Sequence, residues 1–84
     1  MLIEVVTAGL GCSICQKALK VVKQVALEFP QIETQELHVV DQFERLQELG
    51  IFSAGAILIN GKVEFASPPS KPKLRERVYA LLNN

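Results

Sequence analysis

The stretch Leu2-Ile3-Glu4-Val5-Val6-Thr7-Ala8-Gly9-Leu10-Gly11-Cys12-Ser13-Ile14-Cys15 decides how this chain folds. Leu2 to Thr7 is short, β-branched and almost wholly apolar, the pattern of a strand covered on both faces. Ala8 to Gly11 breaks it, with glycines at 9 and 11 that permit a tight turn. From Ser13 to about Phe29 the apolar period lengthens to that of a helix. Ile14, Ala18, Val21, Val22, Val25 and Phe29 share one face, while Gln16, Lys17, Lys20, Lys23, Gln24 and Glu28 fall mostly opposite. Pro30 stops it. A strand thus feeds a helix through a turn, and both cysteines stand at the junction.

Working outward, about Thr34 to Val40 reads as a second strand, with Leu37 and Val39 on one face and Glu36, His38 and Val40 on the other. Asp41 and Glu44 have the spacing of a capping box, with Asp in place of the usual Ser or Thr, and Phe43, Leu46 and Leu49 form a short apolar stripe. Gly50, followed by apolar Ile51, is a good helix terminator. Ala56 to Ile59 predicts a third strand, Asn60-Gly61 a tight hairpin, and Lys62 to Ala66 a fourth strand. Ser67-Pro68-Pro69 breaks the chain before a last helix. Ser70 is its expected N-cap, Pro72 sits in the tolerant first turn, and Leu74, Val78, Leu81 and Leu82 form its buried stripe. The order β-α-β-α-β-β-α predicts an α/β, three-layer sandwich with a four-stranded mixed sheet. Its first two strands are expected parallel through a right-handed crossover, and its last two antiparallel.

Size and composition bound the function. The 84 residues, 9.3 kDa, are expected to form one domain over 1–84. Apolar residues make up 49% and mean hydropathy is +0.24, enough for a compact core. Nine basic residues balance nine acidic ones, for zero net charge and a pI near 6.6. That balance argues against a nucleic-acid clamp or a polybasic membrane tether. No apolar run approaches the ~18 residues of a membrane span. Met1-Leu2-Ile3-Glu4 shows no signal-peptide pattern, so the expected location is cytoplasmic. The expected state is a monomer.

The two cysteines, Cys12-Ser13-Ile14-Cys15, close too short a loop to act as a folding staple. In a cytosolic setting thiols are mostly reduced, so chemistry is a better explanation than architecture. At a helix N-terminus, Cys12 meets unsatisfied backbone N–H groups and the positive end of the helix dipole, both of which favour the thiolate. Cys12 is therefore the expected nucleophile toward a disulfide, stabilised by the backbone of Gly11 to Ile14. Cys15, one turn on and more buried, is the expected resolving thiol, and the product is a Cys12–Cys15 disulfide. Two other uses of the pair stay open. Thiolates suit soft metals, so a metallochaperone or a metal shared between chains is the alternative. A single-chain zinc centre lacks ligands, because only His38 remains as a third strong donor. A non-catalytic scaffold that binds a partner through its sheet edge or the Phe52 region is the third reading.

With the element order placed around Gly9-Leu10-Gly11-Cys12-Ser13-Ile14-Cys15, nearly the whole chain resembles the thioredoxin-like superfamily. More narrowly it resembles the small redox-active disulfide proteins known as glutaredoxin-like small thioredoxins. Gly50-Ile51-Phe52-Ser53, the Ile57-to-Val63 hairpin and the Ser70-Lys71 helix start carry the rest of the likeness. The resemblance implies a dithiol–disulfide oxidoreductase without a cofactor or metal. Its partners would be a protein or small disulfide substrate and a thiol reductase. It also implies that Gly11, Ser13 and Ile14, with Phe52, Ala54 and Gly55 on the loop before the third strand, face the substrate. A heavy-metal-associated domain also places Cys-x-x-Cys after its first strand, but its order ends in a strand where this chain ends in a helix.

The chain departs from the family pattern in three places. The superfamily usually carries a cis-proline before the third strand, and here Gly55 occupies that place within Ser53-Ala54-Gly55-Ala56. A non-proline cis bond costs ~2.5–4 kcal/mol, so a trans peptide is expected, with consequences for substrate docking and metal capture. The buried carboxylate that assists the resolving cysteine in many thioredoxins has no evident equivalent; Glu4 is expected to be a strand-end charge. No tryptophan flanks Cys12, and no glutathione-binding set is evident. His38 is expected to be a hydrogen-bonded or exposed strand histidine, and Tyr79 to pack with a wet hydroxyl. Lys71, Lys73 and Arg75 are expected to form a solvated face, as is Lys17. With zero net charge, partners are expected to be met through backbone and apolar contacts near Cys12.

Overall fold

Strands β1 (Leu2–Thr7), β2 (Glu33–His38), β3 (Ile57–Ile59) and β4 (Lys62–Phe65) form one sheet in the order β2-β1-β3-β4. The computed structural model describes residues 1–9, 11–50 and 53–83. β1 pairs parallel to β2 and antiparallel to β3, and β3 pairs antiparallel to β4, so the sheet is mixed. Asn60 and Gly61 both lie at positive φ, 52° and 83°, as a tight two-residue hairpin demands. Asn60 also ties the hairpin to β1: its Oδ1 accepts from Leu2 N at 3.0 Å, and its N–H donates to Leu2 O at 2.8 Å.

Alternation along the strands builds a core on each face. Ile3, Val5, Ile57 and Ile59 meet Ala18, Val22 and Val25 of α1 (Ser13–Ala26) and Leu74 and Val78 of α3 (Lys71–Leu82). On the other face Val6, Leu37, Ala56 and Leu58 meet Leu46 of α2 (Phe43–Glu48). The architecture is the α/β three-layer sandwich with a four-stranded mixed sheet read from the sequence. No helix among the described residues is long and apolar enough to cross a membrane.

Several local readings need correction. α1 stops at Ala26, with Leu27 as C-cap, rather than running to Phe29, which is half-buried against the core. β2 ends at His38, because Val39 and Val40 already turn toward α2, where Gln42 N donates to His38 O at 2.9 Å. Asp41 does not cap α2: Gln42 holds that position and makes no side-chain cap bond. Of the expected stripe on α2 only Leu46 is buried; Phe43 and Leu49 are exposed, since a helix of 6 residues turns only one side chain fully inward. Ile14 also leaves the buried face of α1 and lies 51% exposed. Ser70 caps α3 as expected, accepting from Lys73 N. Tyr79 is exposed rather than packed. Lys71 and Arg75 are more than a solvated face, since both reach Glu28 beyond α1, at 3.9 and 3.0 Å, though such exposed pairs add little stability.

Glu4 is the largest correction. It is 1% exposed in the middle of β1, not a strand-end charge. Arg45 of α2 donates to it through both terminal nitrogens, Nη1 to Oε2 at 2.9 Å and Nη2 to Oε1 at 3.0 Å. A buried carboxylate without such a partner would carry a large desolvation cost. The hydrogen bonds to Glu4, aided by its charge, hold the Arg45 guanidinium above the ordinary arginine range against partial desolvation. The pair pins α2 to the sheet.

Candidate functional site

The site forms where β1 hands over to α1. Cys12 is the N-cap of α1, in extended conformation at φ −83°, ψ 100°, and its Sγ accepts the N–H of Cys15 at 3.2 Å. A sulfur thus satisfies one of the backbone donors that a helix start leaves open. Cys15 lies in the first turn, 2% exposed, and Cys12 is half-buried. The two form a disulfide with a Cα–Cα distance of 5.3 Å. Cys15 Sγ accepts the N–H of Ala8 at 3.3 Å. No acidic residue occupies the first turn of α1, so nothing there opposes a negative charge on Cys12. One sulfur of the pair is reachable from solvent and the other is held inside.

Gly55 sits across from this turn. Its φ is +87°, and a Cβ placed on it would lie 2.6 Å from Ile14 Cγ2 and 3.1 Å from Pro68 Cγ. Its N–H donates to Val6 O at 2.8 Å, and Val6 N donates to Ala56 O at 2.9 Å, so the loop extends the β1–β3 ladder toward the cysteines. The peptide before Gly55 is trans; the described chain has no cis bond. Proline could not stand here in this conformation, because its φ is locked near −65° and it has no N–H to give. Glycine instead brings the backbone into close contact with Ile14 beside the disulfide.

The sequence-read site residues divide accordingly. Gly11, Ser13 and Ile14 lie exposed around Cys12, Ala54 is half-buried, and Gly55 is buried against Ile14. Phe52 lies outside the described residues. Lys17 is exposed and enters no ion pair among the described residues. The sequence did not point to Pro68, whose ring closes the Gly55 contact from the segment before α3. Nor did it point to the Ala8 N–H, since a backbone donor leaves no mark in residue type.

A groove of about 330 Å³ opens beside the disulfide, and Thr7, Cys12, Cys15, Glu36 and His38 contribute to its walls. Among the described residues, no group of three or more His, Cys, Asp and Glu side chains converges in a way that could hold a metal ion. Nothing in the site favours metal binding over the disulfide.

Residues 1–78 match the family model described as a thioredoxin domain. The chain is 36% identical over 77 residues to a thioredoxin of Methanocaldococcus jannaschii, an alignment covering 90% of this chain and 89% of the relative. It is 34% identical over 77 residues to a probable thioredoxin of Methanothermobacter thermautotrophicus, with the same coverage, 90% and 89%. Among solved structures, the reduced form of desulfothioredoxin from Desulfovibrio vulgaris Hildenborough superposes with a TM-score of 0.67 at 24% identity. That match covers 95% of this chain and 79% of the other, and it speaks to the fold.

Proposed function

The chain belongs to the thioredoxin-domain family and is a thiol–disulfide oxidoreductase, and from that premise we propose how its cysteines divide the reaction. In the reduced protein the Cys12 thiolate attacks one sulfur of a partner disulfide. A Cys12–partner bond forms, the partner's own disulfide breaks, and one partner thiolate leaves. The Cys15 thiolate then attacks Cys12 Sγ, releasing the second partner thiolate and leaving the Cys12–Cys15 disulfide. Two electrons have passed to the partner, and a thiol reductase returns them. The same steps in reverse oxidise a dithiol partner.

One observation carries this division of labour: Cys12 is the half-buried N-cap of α1, with its Sγ on a backbone N–H, while Cys15 is buried behind it. The helix terminus favours the thiolate on the sulfur that a partner can reach. Docking falls to the rim formed by Gly11, Ser13, Ile14 and Ala54, with Gly55 packed behind Ile14 as its support. With zero net charge, long-range steering contributes little, and protein disulfides are the natural substrates for such a rim. The protein works in the cytoplasm as a single-domain monomer.

The test is thiol-dependent reduction of a model disulfide by the wild type and by Cys12→Ser. The variant is expected to lose turnover. Retained activity would remove Cys12 from the nucleophile's role.

A further inference from the structure

We propose that His38 is the proton-transfer partner of the resolving cysteine, a role that rests on the reading above in which Cys15 resolves. When Cys15 attacks, its thiol must first lose a proton from a buried position, and a buried thiol gives that proton up reluctantly. The one buried carboxylate on β1 cannot accept it. Glu4 points to the α2 face of the sheet with Val6 and is held there by Arg45, whereas Thr7 lies on the α1 face with Ile3 and Val5.

His38 lies on the α1 face. In the parallel register it stands directly opposite Thr7, and the next residue of β1, Ala8, donates its N–H to Cys15 Sγ. Neighbouring strands lie about 4.8 Å apart, so the imidazole flanks the end of β1 that holds the sulfur. His38 and both cysteines share the walls of the same groove. A Cβ on Gly9 would come within 3.5 Å of His38 Nε2, so the loop leading to Cys12 lies close against the ring. His38 Nδ1 is buried and has no hydrogen-bond partner among the described residues. A buried, unpaired ring nitrogen in a groove with a sulfur that must be deprotonated is a poor structural choice and a useful chemical one.

The other groups around it are few. Glu36, two positions along β2, is exposed at the rim of the groove, and β1 contributes only uncharged Thr7. From α1 the groove receives Cys15, Gln16 and Leu19; Lys23 lines the next groove along, with Glu36 but without His38. In the forward step the neutral imidazole takes the Cys15 proton, directly or through one water in the groove. The Cys15 thiolate attacks Cys12 Sγ, and the imidazolium then protonates the departing partner thiolate.

Stopped-flow reaction of the reduced protein with one equivalent of 5,5′-dithiobis(2-nitrobenzoate) separates the two steps. Attack by Cys12 releases the first thionitrobenzoate, and resolution by Cys15 releases the second. In the wild type the second phase should slow as pH falls through the range of roughly 5–8 in which histidines change charge. In His38→Gln that inflection should vanish, and the second phase near pH 7 should slow by roughly 10²-fold, the low end for a positioned acid–base group. The first phase should be unchanged, and added imidazole should restore the second phase of His38→Ala. Glu36→Gln should keep the inflection. Cys15→Ser should show only the first phase, and a persisting second phase there would refute the resolving role of Cys15 itself. If Cys15→Ser behaves as expected, an unchanged second-phase profile in His38→Gln overturns the assignment of His38 alone. So does a wild-type profile with no inflection in that range, whether or not the variants fold, or an inflection lost in Glu36→Gln and kept in His38→Gln.

Discussion

Replacing Gly55 by alanine adds one carbon at the contact that joins the loop before β3 to the active-site turn. The backbone there lies at φ +87°, and the added Cβ would stand 2.6 Å from Ile14 Cγ2 and 3.1 and 3.2 Å from the Pro68 ring. Left-handed backbone costs an L-residue about 1–2 kcal/mol. Overpacking by a methyl costs about 1–3 kcal/mol more, and Ile14 has little room to yield because β-branched side chains in helices hold essentially one χ1 rotamer. The stiffer unfolded chain returns roughly 0.4–1 kcal/mol, so the net loss is about 1–4.5 kcal/mol. Urea denaturation of the oxidised protein reads this as a lower midpoint at unchanged slope. The cost should also depend on Ile14. In an Ile14→Ala background the Cγ2 is gone, and Gly55→Ala should cost about 1–2 kcal/mol less, which a double-mutant cycle reports directly. A loss below about 0.5 kcal/mol, the usual size for an unremarkable surface change, would refute the contact as described. So would a loss that is the same with and without the Ile14 side chain.

Arg45→Ala leaves the Glu4 carboxylate buried and unpaired. Because the Arg45 side chain is itself 42% exposed, the cost should fall near the lower end of the range for broken buried pairs, about 3 kcal/mol. Replacing both residues by methionine should recover most of that loss, again by urea denaturation. The raised Arg45 pKa gives the sign of its pH dependence: its contribution is complete at every pH below the ordinary arginine range and is lost only above it. The pair should therefore add no pH dependence from the arginine side between acid and neutral solution, as stability measured across that range will show. Ser70→Ala removes the N-cap of α3 and should lower stability by about 1 kcal/mol, with the disulfide chemistry untouched.

The sequence carried most of the frame because its elements are locally marked. Asn60-Gly61 dictates the hairpin, Ser70 the start of α3, and the almost wholly apolar run through β1 its central place in the sheet. The cysteine pair was legible for the same reason: its spacing and its position after β1 put Cys12 at a helix N-terminus. What escaped were pairings across long stretches of chain. A charge between Ile3 and Val5 already announces that Glu4 needs a partner, yet nothing in the sequence selects Arg45 from the other basic residues. His38 is a strand histidine as its surroundings in the sequence indicate, but only the parallel register sets it opposite Thr7, next to the Ala8 N–H that meets Cys15. Gly55 was recognised by its place in the family pattern. Its N–H bond to Val6 and its close approach to Ile14 and Pro68 required three segments to be seen together. Short α2 was misread at its start, where Gln42 and not Asp41 holds the cap without a side-chain bond, whereas Gly50, at φ +72°, ends it as its residue type dictates.

In the proposed division of labour the helix terminus makes Cys12, and not Cys15, the reactive thiolate. Alkylation of the fully reduced protein by iodoacetamide across pH, with the modified residue located by mass spectrometry, tests it most directly. Cys12 should be modified first, with its rate half-maximal at a pH below the ~8.5 of an unperturbed cysteine. Modification of Cys15 first, or a Cys12 midpoint at or above that value, would contradict the account.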